Sequence, residues 1–328
     1  MNKTKLTTGA LLVVLLLLAG GCFLIFGDSL GLASYANADK YTIGDADISS
    51  AVENLEIDWI SGKVNIEYHA GSGISLSETA NRNTSEDEKF RWWVDGKTLR
   101  VKYAKPRLTS FSNLQKTLTV SLPDDIAFKK VNIDTTSGDI SVPAMTADEI
   151  RFETTSGDVD AVITAKNLNA SSTSGSLNVR QDSDISNASF SSTSGSVAFT
   201  VTSAEKISMQ STSGDVFTTV SGTVGNISLD STSGTIHPDL ASVDKAKFSS
   251  TSGGVTGTLV SFKDLDIDVT SGDVSLKLPN PPGFTCKTDS RRFNSSLELT
   301  KDGDKYVYGD GSARLHIDTT SGSIRIDN

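Results

Sequence analysis

From residue 131 the chain reads Val-Asn-Ile-Asp-Thr-Thr-Ser-Gly, ending at Gly138, and from residue 207 it reads Ile-Ser-Met-Gln-Ser-Thr-Ser-Gly, ending at Gly214. The same closing tripeptide returns at Gly157, Gly175, Gly195, Gly234, Gly253, Gly272 and, after a gap, Gly322. The first eight glycines are separated by 19, 18, 20, 19, 20, 19 and 19 residues. A fixed period of this length marks a repeat architecture and not a flexible Ser-rich linker.

Within each repeat the apolar residues alternate. Seven and five residues before the glycine stand Ile150 and Phe152, Ile207 and Met209, and Ile227 and Leu229, and two residues after it come Val159, Leu177 and Val216. Period two means strand with one face buried. A single repeat cannot bury its own apolar face, so consecutive coils must stack. The expected fold is all-β: a single-chain parallel β-solenoid with coils of about nineteen residues. Each coil is expected to hold three short strands, with the glycine where the chain turns. Eight coils would rise roughly 40 Å at the spacing of paired strands. A right-handed wind follows the general chirality of parallel crossovers.

Working outward, residues 131–278 hold the regular repeats. Residues 40–130 are strand-like without Thr-Ser-Gly and read as an N-terminal β-cap, within which Ile60-Ser61-Gly62-Lys63-Val64 looks like a diverged copy of the repeat. The polar stretch from Glu78 to Glu88 reads as a loop bulging outward. Residues 279–328 begin with Pro279, Pro281, Pro282 and Gly283, run through an irregular excursion, and close with one capping coil over LHIDTTSGSIRIDN.

At the other end, residues 1–8 carry Lys3 and Lys5, and residues 9–27 read GALLVVLLLLAGGCFLIFG without a charge. Nineteen helical residues would span about 28 Å, close to the thickness of a bilayer core. The lysines place residues 1–8 in the cytoplasm, with residues 28–39 as linker to an extracellular solenoid. The expected location is thus the cytoplasmic membrane, crossed once by an uncleaved transmembrane helix. Two alternatives stay open: cleavage after Ala38, behind Ala36-Asn37-Ala38, and lipidation of Cys22 behind Ala19-Gly20-Gly21. All three put residues 39–328 outside the cytoplasm.

Those residues hold 28 basic and 39 acidic groups, a net −11. An acidic surface argues against nucleic acid as a partner. Cys286 is the one cysteine beyond the apolar run, which leaves no intradomain disulfide. His69, His237 and His316 occupy unrelated repeat positions, and no P-loop, nucleophile elbow or metal-spaced cluster is present. The expectation is a protein that is not an enzyme and carries no cofactor or metal. The threonine two residues before each glycine forms an outward column from Thr136 to Thr320, which reads as a solvated hydroxyl edge. The Asp residues that follow many of the glycines read as turn caps.

Two groups of non-repeated residues combine arginine with aromatics, a mixture enriched where proteins bind partners. One is Arg91, Trp92 and Trp93 in the cap; the other is Phe284, Arg291, Arg292 and Phe293 in the late excursion. Residues freed from the stacking constraint are the expected seat of recognition, in preference to the repeats.

The Thr-Ser-Gly-Asp repeats, the lead-in LEIDWISGKVNIEY, the segment TLTVSLPDDIAFKKVNIDTTSGDI and the closing coil together resemble the bacterial putative-adhesin family of β-strand repeat proteins, over about residues 40–328. That resemblance implies an exported or membrane-anchored β-solenoid, similar in some members to the anchored component of Lia-type envelope-stress systems. It supplies no catalytic or binding residue. The functional expectation is therefore a non-enzymatic envelope module, adhesin-like or stress-associated, whose partner is an envelope protein or glycan. The rivals are a polysaccharide-acting β-helix enzyme and a purely structural spacer.

Overall fold

The computed structural model describes residues 35–106 and 113–328. The apolar run at 9–27 and Cys22 lie outside them; among the described residues no helix is long and apolar enough to cross a membrane. Apart from a 3₁₀ turn at Ala38–Lys40, the ordered elements are strands, joined into one long sheet.

Parallel pairing carries the repeat. Ile140 pairs with Val159, Val159 with Leu177, Leu177 with Val197, Val197 with Val216, Val216 with Ile236, Ile236 with Val255 and Val255 with Val274. Each partner lies one repeat further along the chain, so the sequence period is the rung of a solenoid-like stack. The column five residues before the glycine runs from Ile133 through Phe152, Ala170, Phe190, Met209, Leu229 and Phe248 to Ile267. Every member is fully or almost fully buried. Ala170 sits between Phe152 and Phe190, so a small rung offsets two large ones and keeps the core close-packed.

The coil differs from the expected three short strands. One strand stretch precedes the Thr-Ser-Gly and another follows it, and the second often continues into the next coil. Val216–Ser231 is one such 16-residue strand, with a register shift between Val220 and Thr223. That shift lets the outline turn a corner without leaving the ladder.

The repeated glycines also have a different reason from the expected one. From Gly138 onward, none of the Thr-Ser-Gly glycines is at positive φ. A Cβ on Gly157, Gly175, Gly195, Gly214, Gly234, Gly253, Gly272 or Gly322 would instead strike the carbonyl oxygen of the preceding coil's glycine. Glycine is required by the closeness of stacked turns and not by left-handed backbone.

Those turns are tied down by a hydroxyl column one residue inside the threonines. The Gly195 N–H donates to Ser192 Oγ at 2.9 Å, and Gly175, Gly214, Gly234 and Gly253 donate likewise to Ser172, Ser211, Ser231 and Ser250. All five serines are buried. Each satisfies a backbone donor that would otherwise be lost inside the stack. The Asp after the glycine caps across coils, as its position suggests: Asp139 Oδ1 accepts from the Asp158 N–H at 3.0 Å, and Asp158 Oδ1 from the Ser176 N–H at 2.7 Å.

The ends are built by splicing. Strand Asn54–His69 pairs with Phe128–Val142 so that Leu55 meets Val131 and Gly62 meets Gly138, which makes it the first coil and Gly62 the diverged repeat glycine. On its outer side the same strand receives Thr98–Lys102 and Lys116–Pro123 in parallel, and these are flanked by the antiparallel strands Arg91–Asp95 and Ile74–Ala80. At the far end Val274 pairs directly with Ile324, so the excursion is looped out of the stack. Phe284–Lys287 and Phe293–Ser295 then lie on the outer edge of that last coil. Phe284–Lys287 is covered in turn by the antiparallel strand Lys305–Tyr308, whereas the three-residue strand Phe293–Ser295 is an outer parallel edge among the described residues.

Candidate functional site

The two candidate patches sit at opposite ends of the stack. At the first, strand Arg91–Asp95 alternates. Trp92 and Val94 pack against the core, while Arg91, Trp93 and Asp95 face outward beside Lys102 and Arg100 of the paired strand. Arg100 pairs with Asp95 on this side and with Glu56 across the next rung, where Lys102 also pairs with Asp58.

Residues 35–43 lie over this face. Tyr41 meets Trp93 edge-on at 5.7 Å and Tyr35 at 4.9 Å. Lys40 Nζ stands 4.9 Å from the centre of a Trp93 ring, and Lys102 Nζ 5.6 Å from that of Tyr35. Burial pushes the Tyr35 hydroxyl up to about 12, so it stays a neutral donor, and it donates to Ala104 O at 3.3 Å. Arg91 is only 9% exposed, held beside Glu86 O at 3.4 Å and Asp87 at 3.8 Å. Its Nε, and the Trp92 indole N–H, are buried without a hydrogen-bond partner among the described residues.

The stretch Glu78–Glu88 runs as strand to Ala80 and then as the exposed loop expected of it, with the side chains at its two ends turned in. Glu78 closes the strand Ile74–Ala80 and points inward, where it meets Lys116 Nζ at 2.7 Å. Lys116 Nζ also donates to Glu88 O at 2.7 Å and to Tyr103 O, and stands 5.0 Å from the Trp59 ring and 4.2 Å from that of Tyr103. Glu88 accepts from Arg82 at 2.8 Å and from the Ser85 N–H at 3.0 Å. Together these hold its carboxyl at about 2. These contacts fasten the two ends of the loop to the end of the stack. Beside it opens a cleft of about 430 Å³ lined by Gly44, Asp45, Glu78, Arg82, Thr84 and Lys89 among others.

At the far end Phe284 is fully buried and stacked on Tyr308 at 5.5 Å, so it belongs to the core and leaves the patch. The parallel pairing of its strand with Ala313–Thr319 turns it inward. Arg291 and Arg292 are exposed, and Phe293, half-buried, packs on Tyr306 at 4.8 Å. Sequence reasoning missed the inward pair Lys116–Glu78, which has no motif, and Tyr35 and Tyr41, which lie close after the apolar run.

Reactive groups are tied up or scattered. Cys286 is buried, and burial raises its thiol to about 12. His316 is held between Asp266 at 2.9 Å and Asp318 at 3.6 Å. Among the described residues no three His, Cys, Asp or Glu side chains are grouped to hold a metal ion.

A parallel stack of repeated coils flanked by antiparallel strands defines an all-β repeat protein. The Toastrack DUF4097 family model matches residues 52–264, and the chain belongs to that family. Among solved structures it is similar to one described as a putative lipid binding protein from Parabacteroides distasonis, with 16% identity, 74% of this chain and 98% of that chain covered, and a TM-score of 0.46. A putative adhesin from Parabacteroides merdae shares 12% identity over 72% of this chain and 96% of its own, with a TM-score of 0.44. A putative cell adhesion protein from Clostridium sporogenes shares 15% over 88% and 99%, with a TM-score of 0.25. No curated protein matches the chain.

Proposed function

We propose that the chain is a non-enzymatic binding module of the cell envelope, a right-handed solenoid held at the outer face of the cytoplasmic membrane by residues 9–27. Its partner, an envelope protein or glycan, engages the N-terminal end of the stack. One observation carries this reading: charge is partitioned along the rod. Residues 131–278 hold 18 acidic and 8 basic groups, whereas residues 39–130 hold 14 and 13, and residues 279–328 hold 7 and 7. The body carries a net charge of −10 (8 basic against 18 acidic), which discourages non-specific contact. The N-terminal end has balanced charge, the Tyr35–Tyr41–Trp93 cluster and the 430 Å³ cleft.

The test uses the full chain in its own membrane, with a photo-crosslinking side chain at Lys89 in the cleft or at Thr251 on the exposed threonine column. Adducts from position 89 and none from 251 support the reading. Adducts only from 251 overturn it, and none from either favours a spacer. The anchor is tested separately by external protease on wall-less cells, which should leave a short membrane stub. A protected solenoid, or soluble protein beginning at Asp39, would refute it.

A further inference from the structure

On the outward face of the strand stretch that follows each glycine, the position three residues after the glycine is Asp160, Asn178, Ala198, Phe217, His237 and Thr256 in successive coils. The pairing aligns Asn178 with Ala198, Ala198 with Phe217 and Phe217 with His237. The Phe217 and His237 rings are stacked nearly parallel, 5° apart in plane and 4.6 Å between centroids. His237 therefore covers one face of Phe217. The other face looks along the column over Ala198, and Phe217 remains 39% exposed.

Rungs are about 4.8 Å apart, so Asn178 and Phe217 stand roughly 10 Å apart with only a methyl group between them. A ring stacked on Phe217 at the usual centroid distance would lie directly over Ala198 and extend the ladder by one member. The rim of this slot is polar. Ser196, just before the strand Val197–Val201, and Thr200 within it flank Ala198, Arg180 lies two residues beyond Asn178, and Thr219 two residues beyond Phe217. Asn178 is held in place by donating to Asp160 Oδ1 at 3.0 Å, which leaves its own carbonyl oxygen as an acceptor.

We propose that this slot is a carbohydrate subsite that takes one pyranose ring, its C–H face on Phe217 and its hydroxyls on Asn178, Ser196 and Thr200. The chemistry selects a sugar over a protein side chain. A protein anchor sits in a contiguous apolar core with a polar rim outside it. Here the apolar element is one ring, and hydroxyl, amide and guanidinium groups occupy the neighbouring outward positions. The site breaks the repeat's Ser, Thr and Asp pattern within the acidic body, and it needs neither the anchor nor the N-terminal patch.

The experiment is saturation-transfer NMR on the full chain in detergent, titrated with methyl glycosides of glucose, galactose, mannose and N-acetylglucosamine, with N-acetyltryptophanamide as the protein-like probe. The expected result is transfer to the ring protons of at least one glycoside. Phe217→Ala should weaken that binding about tenfold, the size of one lost ring contact. Ala198→Phe, which fills the slot with a third ring at an outward position, should abolish it while the thermal transition is kept. The idea is overturned if no glycoside binds the wild-type chain, or if Ala198→Phe leaves binding intact. It is equally overturned if only N-acetyltryptophanamide is displaced by that substitution, since the slot would then take a protein ring. Loss or survival of the Lys89 adduct has no bearing on any of these outcomes.

Discussion

Lys116 Nζ lies 2.7 Å from Glu78 Oε2, and the two side chains are 0% and 9% exposed. An ammonium in such a place needs all three protons accepted, and Glu78, Glu88 O and Tyr103 O accept them. Desolvation still lowers the Lys116 pKa, with the Glu78 carboxylate opposing it. The pair fastens the strand Ile74–Ala80 and the loop after it to the strand Lys116–Pro123, itself tied to the first coil by Trp59, whose indole N–H donates to Lys116 O at 3.1 Å.

Breaking that pair on one side should therefore cost far more than a surface ion pair. Lys116→Met leaves the buried Glu78 carboxylate without its counter-charge, with only the Phe90 N–H still donating to it, and we expect a loss of about 3–5 kcal/mol in urea unfolding. Lys263→Met removes the exposed pair with Asp244 and should cost less than about 1 kcal/mol. Similar losses for the two would contradict the buried-pair account.

The hydroxyl column should separate from the threonine column beside it. Ser192→Ala strips the acceptor from the buried Gly195 N–H, and a loss on the order of 1–3 kcal/mol is expected. Thr193→Ala, one residue further along and facing outward, should change stability by less than about 0.5 kcal/mol. Thermal melts of the two single variants are enough to tell them apart.

Core truncation follows the columns. Phe152→Ala leaves a cavity between Ile133 and the small Ala170, and should cost about 3–5 kcal/mol. Replacing the turn glycine, as in Gly195→Ala, should cost on the order of 1–3 kcal/mol, because the new methyl meets the Gly175 carbonyl and not because of backbone strain. An unchanged denaturation midpoint for Gly195→Ala would mean that the turns are not in close contact.

Asp134 and Glu153 are aligned in adjacent coils, and burial first, then Glu153, push Asp134 from an ordinary 3.8 up to about 7. A carboxyl with a raised folded pKa binds its proton more tightly when folded. Its contribution to stability is complete below about 4 and is lost as pH rises towards 7. Asp134→Asn removes that dependence. The melting temperature of the variant relative to wild type should be higher at pH 8 than at pH 5, and the opposite order would reverse the assigned direction.

The stack itself was legible because its cause is local and periodic. Alternation placed Phe152, Met209 and Leu229 inward, and the Thr-Ser-Gly spacing placed each coil on the one before. Even Gly62 could be aligned with the repeat from Ile60 to Val64. The inward serines carried a signal that period-two reading passes over: a hydroxyl residue stands three positions before eight of the nine Thr-Ser-Gly glycines, Val269 being the exception. Alternation puts this position inward, but the reason for a hydroxyl there is invisible in the sequence, because the buried backbone donor it serves shows only in the stack. The ends were less legible. Antiparallel partners such as Ile74–Ala80 are set by contacts between segments some forty residues apart, Ser75 with Ser121 for example, and no periodicity announces them. Phe284 was misplaced for the same reason: a residue in an irregular stretch shows its facing only through the strand it happens to pair with.

The direct pairing of Val274 with Ile324 across the looped-out excursion has a consequence for how such a molecule can change. A ladder that closes over an excursion of this length does not depend on chain continuity between rungs, only on each rung matching its neighbour. Whole coils are therefore interchangeable cassettes. Removing residues 176–195 should bring Gly175 and Gly214 into contact and shorten the rod by a single rung, about 4.8 Å, with both ends intact. The reach of the molecule is quantised, and duplication or loss of one coil sets how far its two ends stand apart without altering either of them.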